Sequence, residues 1–292
     1  MTDQAIKTQP GLMARLFSKG PAMPGDAYGA PGMGSSTSIA IATTIVLFLI
    51  WYICTGPALL GIEPFVNGLF LPSPAAVWNK FATVTTDGYQ GRTLLEHTQF
   101  SFLRILTAFL LAAATGIPIG IAMASNRVMR GIFDPPIEFY RPLPPLGYLP
   151  LTVIWFGIGE TQKLVLLYLA MFAPIVLNTR AGVRSVAIEQ IHAAYSLGAS
   201  RAQVLWHVIL KGAMPEILTG MRIGIGFGWT TLVAAELVAT EEGLGAMIMS
   251  ASDFLVTDVV IMGIVVIGVI AYLFDLFMRY LERTLVPWKG KV

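Results

Sequence analysis

Six charged side chains, Arg104, Glu138, Arg141, Arg222, Glu236 and Asp275, lie within or at the edges of stretches that are otherwise strongly apolar. Inside hydrocarbon an unpaired central charge costs about 3 kcal/mol, so each must face protein or water. Glu138 and Arg141 are three residues apart, on one helical face, and can pair locally near a cytoplasmic mouth. Glu236 in TLVAAEL is the foremost candidate to touch a solute pathway, followed by Arg141, Glu138 and Arg222. A carboxylate there would repel an anion but could meet an ammonium group. Other chemistries lack their parts. His97, His192 and His207 fall on different helices or opposite membrane sides and make no metal site. Cys54 is the single cysteine, which excludes an internal disulfide, and its apolar surroundings make it a small core thiol. No Ser/His pair or metal cluster converges within the apolar segments, so no catalytic residue is expected. No G-x-x-x-x-G-K-[ST] phosphate loop occurs. Cofactors bound by this chain are therefore expected to be none.

The elements that would hold these charges follow from composition. Of 292 residues, 55% are hydrophobic and 12% charged, against about 25% charged in a soluble domain. Net charge is +2, with no basic cluster carrying interleaved aromatics, which excludes nucleic acid as a partner. Several apolar runs approach the ~18–20 residues that cross a bilayer, and only helices satisfy their own backbone there. The pattern predicts an all-α membrane protein with six transmembrane helices, near Ser38–Cys54, Phe100–Ala124, Ile137–Phe156, Lys163–Asn178, Glu216–Val238 and Asp258–Tyr280. Residues 1–37 mix Lys7, Arg15 and Lys19 with Gly, Pro and Ser, a composition expected of a flexible cytoplasmic tail, and residues 38–292 form the transmembrane domain. The run beginning near Ser38 is expected to be a retained anchor, not a cleaved signal.

Basic residues are unevenly shared between alternate loops. Arg127, Arg130, Arg180, Arg184, Arg201, Lys211, Arg279, Arg283, Lys289 and Lys291 join the N-terminal Lys and Arg on one side, while Lys80, Arg92 and Lys163 hold the other. Both termini are then cytoplasmic, N-in/C-in. Pro72 and Pro74 in FLPSPAAVWNKF precede a stretch suited to an interfacial helix on the outer side. Gly220, Gly224 and Gly228 repeat every four residues, forming a small-residue face for close helix packing. Pro118, Pro145, Pro150 and Pro174 should kink the spans that contain them.

The inner loop at about 180–215 is too charged for lipid and reads EQIHAAYSLGASRAQVLWHVILKGAMPEI from Glu189 to Ile217. A helix through His192, Ala193 and Ala194 can end at a left-handed Gly198, and Ser200 can cap a second helix running to about Leu210. Small side chains at Ala193, Ala194, Gly198, Ala199 and Ser200 would let a partner approach the backbone closely. This segment resembles the EAA-type loop of binding-protein-dependent ABC importer permeases: Glu-Ala-Ala, three residues, Gly, nine residues, Ile, one residue, Leu-Pro. Ala193, Ala194, Gly198 and Leu210 match; Val208 takes the Ile place, His192 replaces Glu and Lys211 replaces Pro, with Pro215 available as an alternative helix break.

The resemblance covers roughly 70–287, through FLPSP, GIPIGIAM, DPPIEFYRPLPPLGYLPL, WFGIGET, LGASRAQVLWHVIL, GWTTLVAAEL and FLVTDVV. These stretches are similar to the taurine/alkanesulfonate/nitrate branch, with RPLPPL, WFGIGET and SLGASRAQVLW nearest its taurine-type members. The resemblance implies a type I ABC importer permease fold in the bacterial inner membrane. It further implies alternating access for a small sulfonate, taurine first, with nitrate, bicarbonate or aromatic sulfonate as alternatives. The implied partners are an ATP-binding cassette subunit dimer, a periplasmic substrate-binding protein, a second copy of this chain making a homodimer, and membrane lipid. Glu189, His192, Ala193, Ala194, Gly198, Ala199 and Ser200 would form the ATPase-coupling surface. An ATP-independent secondary transporter is the further alternative; it would usually show inverted internal repeats, and none is found.

Overall fold

The computed structural model describes residues 37–56, 64–238, 240 and 242–288. The expected N-terminal tail lies, up to residue 36, outside the described residues. Residues 1–75 and 76–292 form two compact units. In the first unit, α1 (Thr37–Cys54) carries an almost uninterrupted apolar sequence with most side chains exposed. Its end is tied by Trp51 Nε1, which donates to the Pro72 carbonyl at 3.1 Å.

Beyond it, α2 (Pro74–Thr86) starts on its own proline, the position where a missing N–H is harmless. A reciprocal capping box opens α3 (Leu94–Ser125): Glu96 N–H donates to Thr93 Oγ1 at 3.3 Å, and Thr93 N–H donates to Glu96 at 2.7 Å. There follow α4 (Arg127–Tyr140), α5 (Pro145–Phe156), α6 (Glu160–Ser185) and α7 (Ile188–Ser196). A single turn, Arg201–Gln203, passes through a π-helical segment, Val204–Ile209, into α8 (Leu210–Glu236). Last come α9 (Leu244–Asp253) and α10 (Thr257–Leu285).

Four helices among the described residues are long and apolar enough to cross a membrane: Leu94–Ser125, Glu160–Ser185, Arg201–Glu236 and Thr257–Leu285. Ile39–Cys54 and Pro145–Phe156 are apolar but shorter. The expected continuous span Ile137–Phe156 is corrected, because Arg141–Pro144 separates α4 from α5. Prolines 142, 144 and 145 supply no N–H; Arg141 before Pro142 still keeps helical backbone, but Pro144, before Pro145, is extended at φ −63°, ψ 136°.

The core is a sandwich of α6 between α3 and α8, centred on Ile105, Phe109, Met171, Ile175 and Leu232. Glycines set its closeness. A Cβ on Gly120 would stand 2.7 Å from the Val176 carbonyl, one on Gly220 2.6 Å from Asn178 Cβ, and one on Gly228 2.4 Å from Met171 Cε. Gly220, Gly224 and Gly228 are all buried on the α8 face that meets α6. Outside this sandwich, exposed Leu103, Leu110, Ile264, Val269 and Leu273 present the apolar surface that lipid would cover.

Candidate functional site

Three assemblies of functional side chains emerge, one at each end of the helical sandwich and one between. The first is the hairpin of α7 and the turn after it. Gly198 N–H donates to Tyr195 O at 2.9 Å and Ala199 N–H to Ala194 O at 3.1 Å, a Schellman closure that needs the left-handed φ of +85° at Gly198. Ser200 then accepts from Gln203 N–H while Gln203 Oε1 accepts from Ser200 N–H at 2.8 Å. No residue of α7 is buried; Glu189, His192 and Ala193 are exposed, and Leu197 at the tip is 89% exposed. A Cβ on Gly198 would meet nothing within 4 Å, so the chain itself leaves this knob open to an incoming partner. The second helix does not break at 211 or at Pro215, as the sequence pattern allowed. The π-helical turn absorbs the irregularity upstream, with Leu210 N–H reaching back to Leu205 O, and the helix continues through Pro215 to Glu236.

The second assembly is a buried polar cluster at the opposite end. Arg104, 4% exposed, grips Glu160 with two parallel bonds of 2.7 Å and donates from Nη1 to Glu236 at 2.8 Å and to the Glu242 carbonyl at 2.7 Å. Glu236, 1% exposed, also accepts from Ser101 Oγ at 2.8 Å and from Gly245 N–H at 2.8 Å. Ser101 in turn accepts from Leu244 N–H, and Lys163 donates to Glu160 at 3.0 Å. His97 Nε2 lies 3.2 Å from the Tyr89 carbonyl, and Nδ1 lies 3.1 Å from the Gly243 carbonyl and 3.2 Å from the Gly243 amide nitrogen, so the ring contacts both loops. One cluster thus joins α3, α6, α8 and the loop before α9. Gly243, at φ +119°, and Gly245 are where that loop closes down: a Cβ on either would stand 2.4 Å and 2.9 Å from Glu236 atoms. Buried charges that are fully paired this way specify one arrangement, and removing one partner strands the other. Glu236 is therefore closed off from solvent here, with both carboxyl oxygens hydrogen-bonded within the chain.

His97, Ser101, Glu160, Lys163 and the two glycines were not singled out from sequence. One signal was present: positions 97, 101 and 104 step by four and three along an apolar helix, placing a polar stripe on one face. Nothing comparable announced Glu160, which meets Arg104 only through tertiary packing.

The third assembly lies at the α4–α5 break. Glu138 and Arg141 are both exposed, and among the described residues no ion pair joins them, although Arg141 keeps helical backbone and its N–H donates to Ile137 O at 3.0 Å; the expected local pair is absent. Arg141 instead borders a cavity of about 550 Å³ with Tyr140, Tyr148, Ala173, Asn178, Phe227 and Thr230. Arg222 is separate, donating to Asp275 at 2.6 Å, which also receives Arg279 at 2.7 Å. That carboxylate bridges α8 to α10, and a shallow cavity beside it is bordered by Arg222, Arg279 and Arg283.

An all-helical membrane body with an exposed hairpin between two of its long apolar helices belongs to a defined class. Residues 116–286 match the family described as binding-protein-dependent transport system inner membrane component, and the chain belongs to that family. It is 53% identical over 261 residues to the taurine transport system permease protein TauC of Escherichia coli (strain K12), covering 89% of this chain and 93% of that one. A Bacillus subtilis (strain 168) permease protein named for aliphatic sulfonates transport is 35% identical, with 84% and 85% covered. Among solved structures, an inward-facing MetNI methionine ABC transporter chain aligns with TM-score 0.56 at 16% identity, spanning 66% of this chain and 95% of that one. The fold is that of an ABC importer permease subunit.

Proposed function

We propose that this chain forms the translocation path of an ATP-driven importer for a small sulfonate, taurine in the first instance, in a bacterial inner membrane. The observation that carries the reading is the 53% identity, sustained over 89% of the chain, to a taurine permease. The proposed assembly is a homodimer of this chain with two ATP-binding subunits and an external binding protein, the subunits other than this one holding ATP and Mg. Both termini face the cytoplasm in this reading, and six segments cross, with α4 and α5 together making one interrupted crossing.

Energy would enter through Glu189, His192, Ala193, Ala194, Gly198, Ala199 and Ser200. Their exposure and their rigid double closure, Schellman at one end and capping box at the other, suit a knob that passes on motion instead of absorbing it. The knob continues through the π segment into α8 without a break, so a push on α7 and its turn can reach the sandwich core. Solute would pass along surfaces that include Arg141, Glu138 and Arg222. Glu236 and Arg104 would hold α3, α6 and α8 as one rigid body while it rocks.

Reconstitution tests this. Vesicles containing this chain and its ATPase subunit, given taurine-loaded binding protein, are expected to accumulate taurine only with Mg-ATP. Accumulation without nucleotide would sink the energy source, and accumulation of nitrate but not taurine would sink the substrate.

A further inference from the structure

We propose that the cavity at the α4–α5 break is a binding site for the solute itself, in which Arg141 receives a sulfonate-type anion; this deepens the reading of the chain as a sulfonate permease and rests on it. The cavity lies at mid-depth. Its walls include Ala173, Pro174 and Asn178 from the middle of α6, and Phe227 and Thr230 from within α8. A guanidinium at that level needs water or an anion, yet among the described residues Arg141 has no carboxylate partner, and no acidic side chain borders the cavity.

Two further donors belong to residues that border this space or adjoin its border, Tyr140 and Leu146. The Tyr140 hydroxyl is buried and has no hydrogen-bond partner among the described residues. At the start of α5, no side chain caps the helix and Pro145 brings no N–H, so the Leu146 amide has no acceptor within its helix. The positive end of the α5 dipole adds to the charge of Arg141. Irregular backbone at membrane depth is stable where it lines a cavity, and half-helix N-termini there are suited to anions.

Other lining residues suit an ammonium group. Pro174 cannot donate to the Ala170 carbonyl, leaving that acceptor available, and both residues border the cavity. Phe227 and Tyr148 border the same cavity, and an aromatic ring there is a suitable neighbour for a cation. Between the poles, Leu143, Leu169 and Ala173 make an apolar stretch for a short carbon chain. The ligand class is a small zwitterion with a tetrahedral oxyanion at one end and an amine at the other.

The same anion chemistry could come from a phospholipid headgroup, so the test has two arms. The full chain, assembled with its ATPase subunit, is placed in phosphatidylcholine vesicles or in vesicles containing phosphatidylglycerol, and uptake of labelled taurine is measured with its binding protein. Arg141→Gln is expected to lower uptake about tenfold or more in both vesicle types, as loss of a charge-assisted contact does. ATP hydrolysis stimulated by the loaded binding protein should stay within about twofold, and Arg141→Lys should restore part of the uptake. Tyr140→Phe, which removes one hydroxyl, is expected to lower uptake about fivefold and carries the test if Arg141→Gln does not assemble. Wild-type uptake in the Arg141→Gln and Tyr140→Phe variants overturns the site, as does a defect confined to phosphatidylglycerol vesicles or a parallel loss of ATP hydrolysis. A wild-type assembly that imports no sulfonate removes the parent reading, and this site with it.

Discussion

Glu236 shows how one residue can be read two ways until its neighbours are known. A carboxylate in an apolar span must face solute, water or a partner, and here Arg104, Ser101 and Gly245 occupy both of its oxygens. Substituting it should therefore disturb stability before selectivity. Glu236→Ala strands Arg104 with only Glu160 opposite and is expected to cost about 3–5 kcal/mol, whereas Glu236→Gln, which keeps the shape and most bonds, should cost less. Thermal unfolding of the purified chain checks the order, and equal loss in both variants would argue against the pair. Gly243→Ala should be as harmful as Glu236→Ala, since its Cβ would meet a Glu236 oxygen at 2.4 Å on a backbone at φ +119°.

Among the elements, the hairpin after α6 and the packing face of α8 invite different outcomes. Gly198→Val places a β-branched residue at φ +85°, where an L side chain costs about 1–2 kcal/mol, although no atom of the chain stands in its way. Membrane insertion should persist while ATP hydrolysis stimulated by the binding protein collapses; undiminished stimulation would speak against docking through this knob. Gly228→Leu has the opposite signature. Its side chain would drive into Met171 between α6 and α8, so the yield of folded protein should fall, as gel filtration would register.

At the scale of the whole molecule the direction of insertion is the quantity to measure. With Cys54 replaced by Ser, a single cysteine at Leu197 should react with an impermeant maleimide only from the cytoplasmic side, and one at Gln90 only from the outside. Both positions are exposed. Labelling of the two from the same side would break the N-in/C-in arrangement. Adding the ATPase subunit should protect the cysteine at 197, which is 89% exposed in the isolated chain.

Composition and order of residues were enough to determine the lipid environment, the helical class, the glycine-spaced face of α8 and the Gly198–Ser200 turn. These depend on local quantities: transfer of apolar side chains, backbone satisfaction in hydrocarbon, and the φ that only glycine adopts cheaply. The proline run from 142 was visible too, yet a run of apolar residues around it masked the break between α4 and α5. Tertiary structure alone decided the rest. Arg104 and Glu160 are 56 residues apart and Arg104 and Glu236 132 apart, so no periodicity links them. Whether an intramembrane charge is buried in a pair or bare beside a cavity depends on which helices pack side by side, and that is why Glu236, which sequence offered to a pathway, is paired, while Arg141, which sequence offered a local partner, is not.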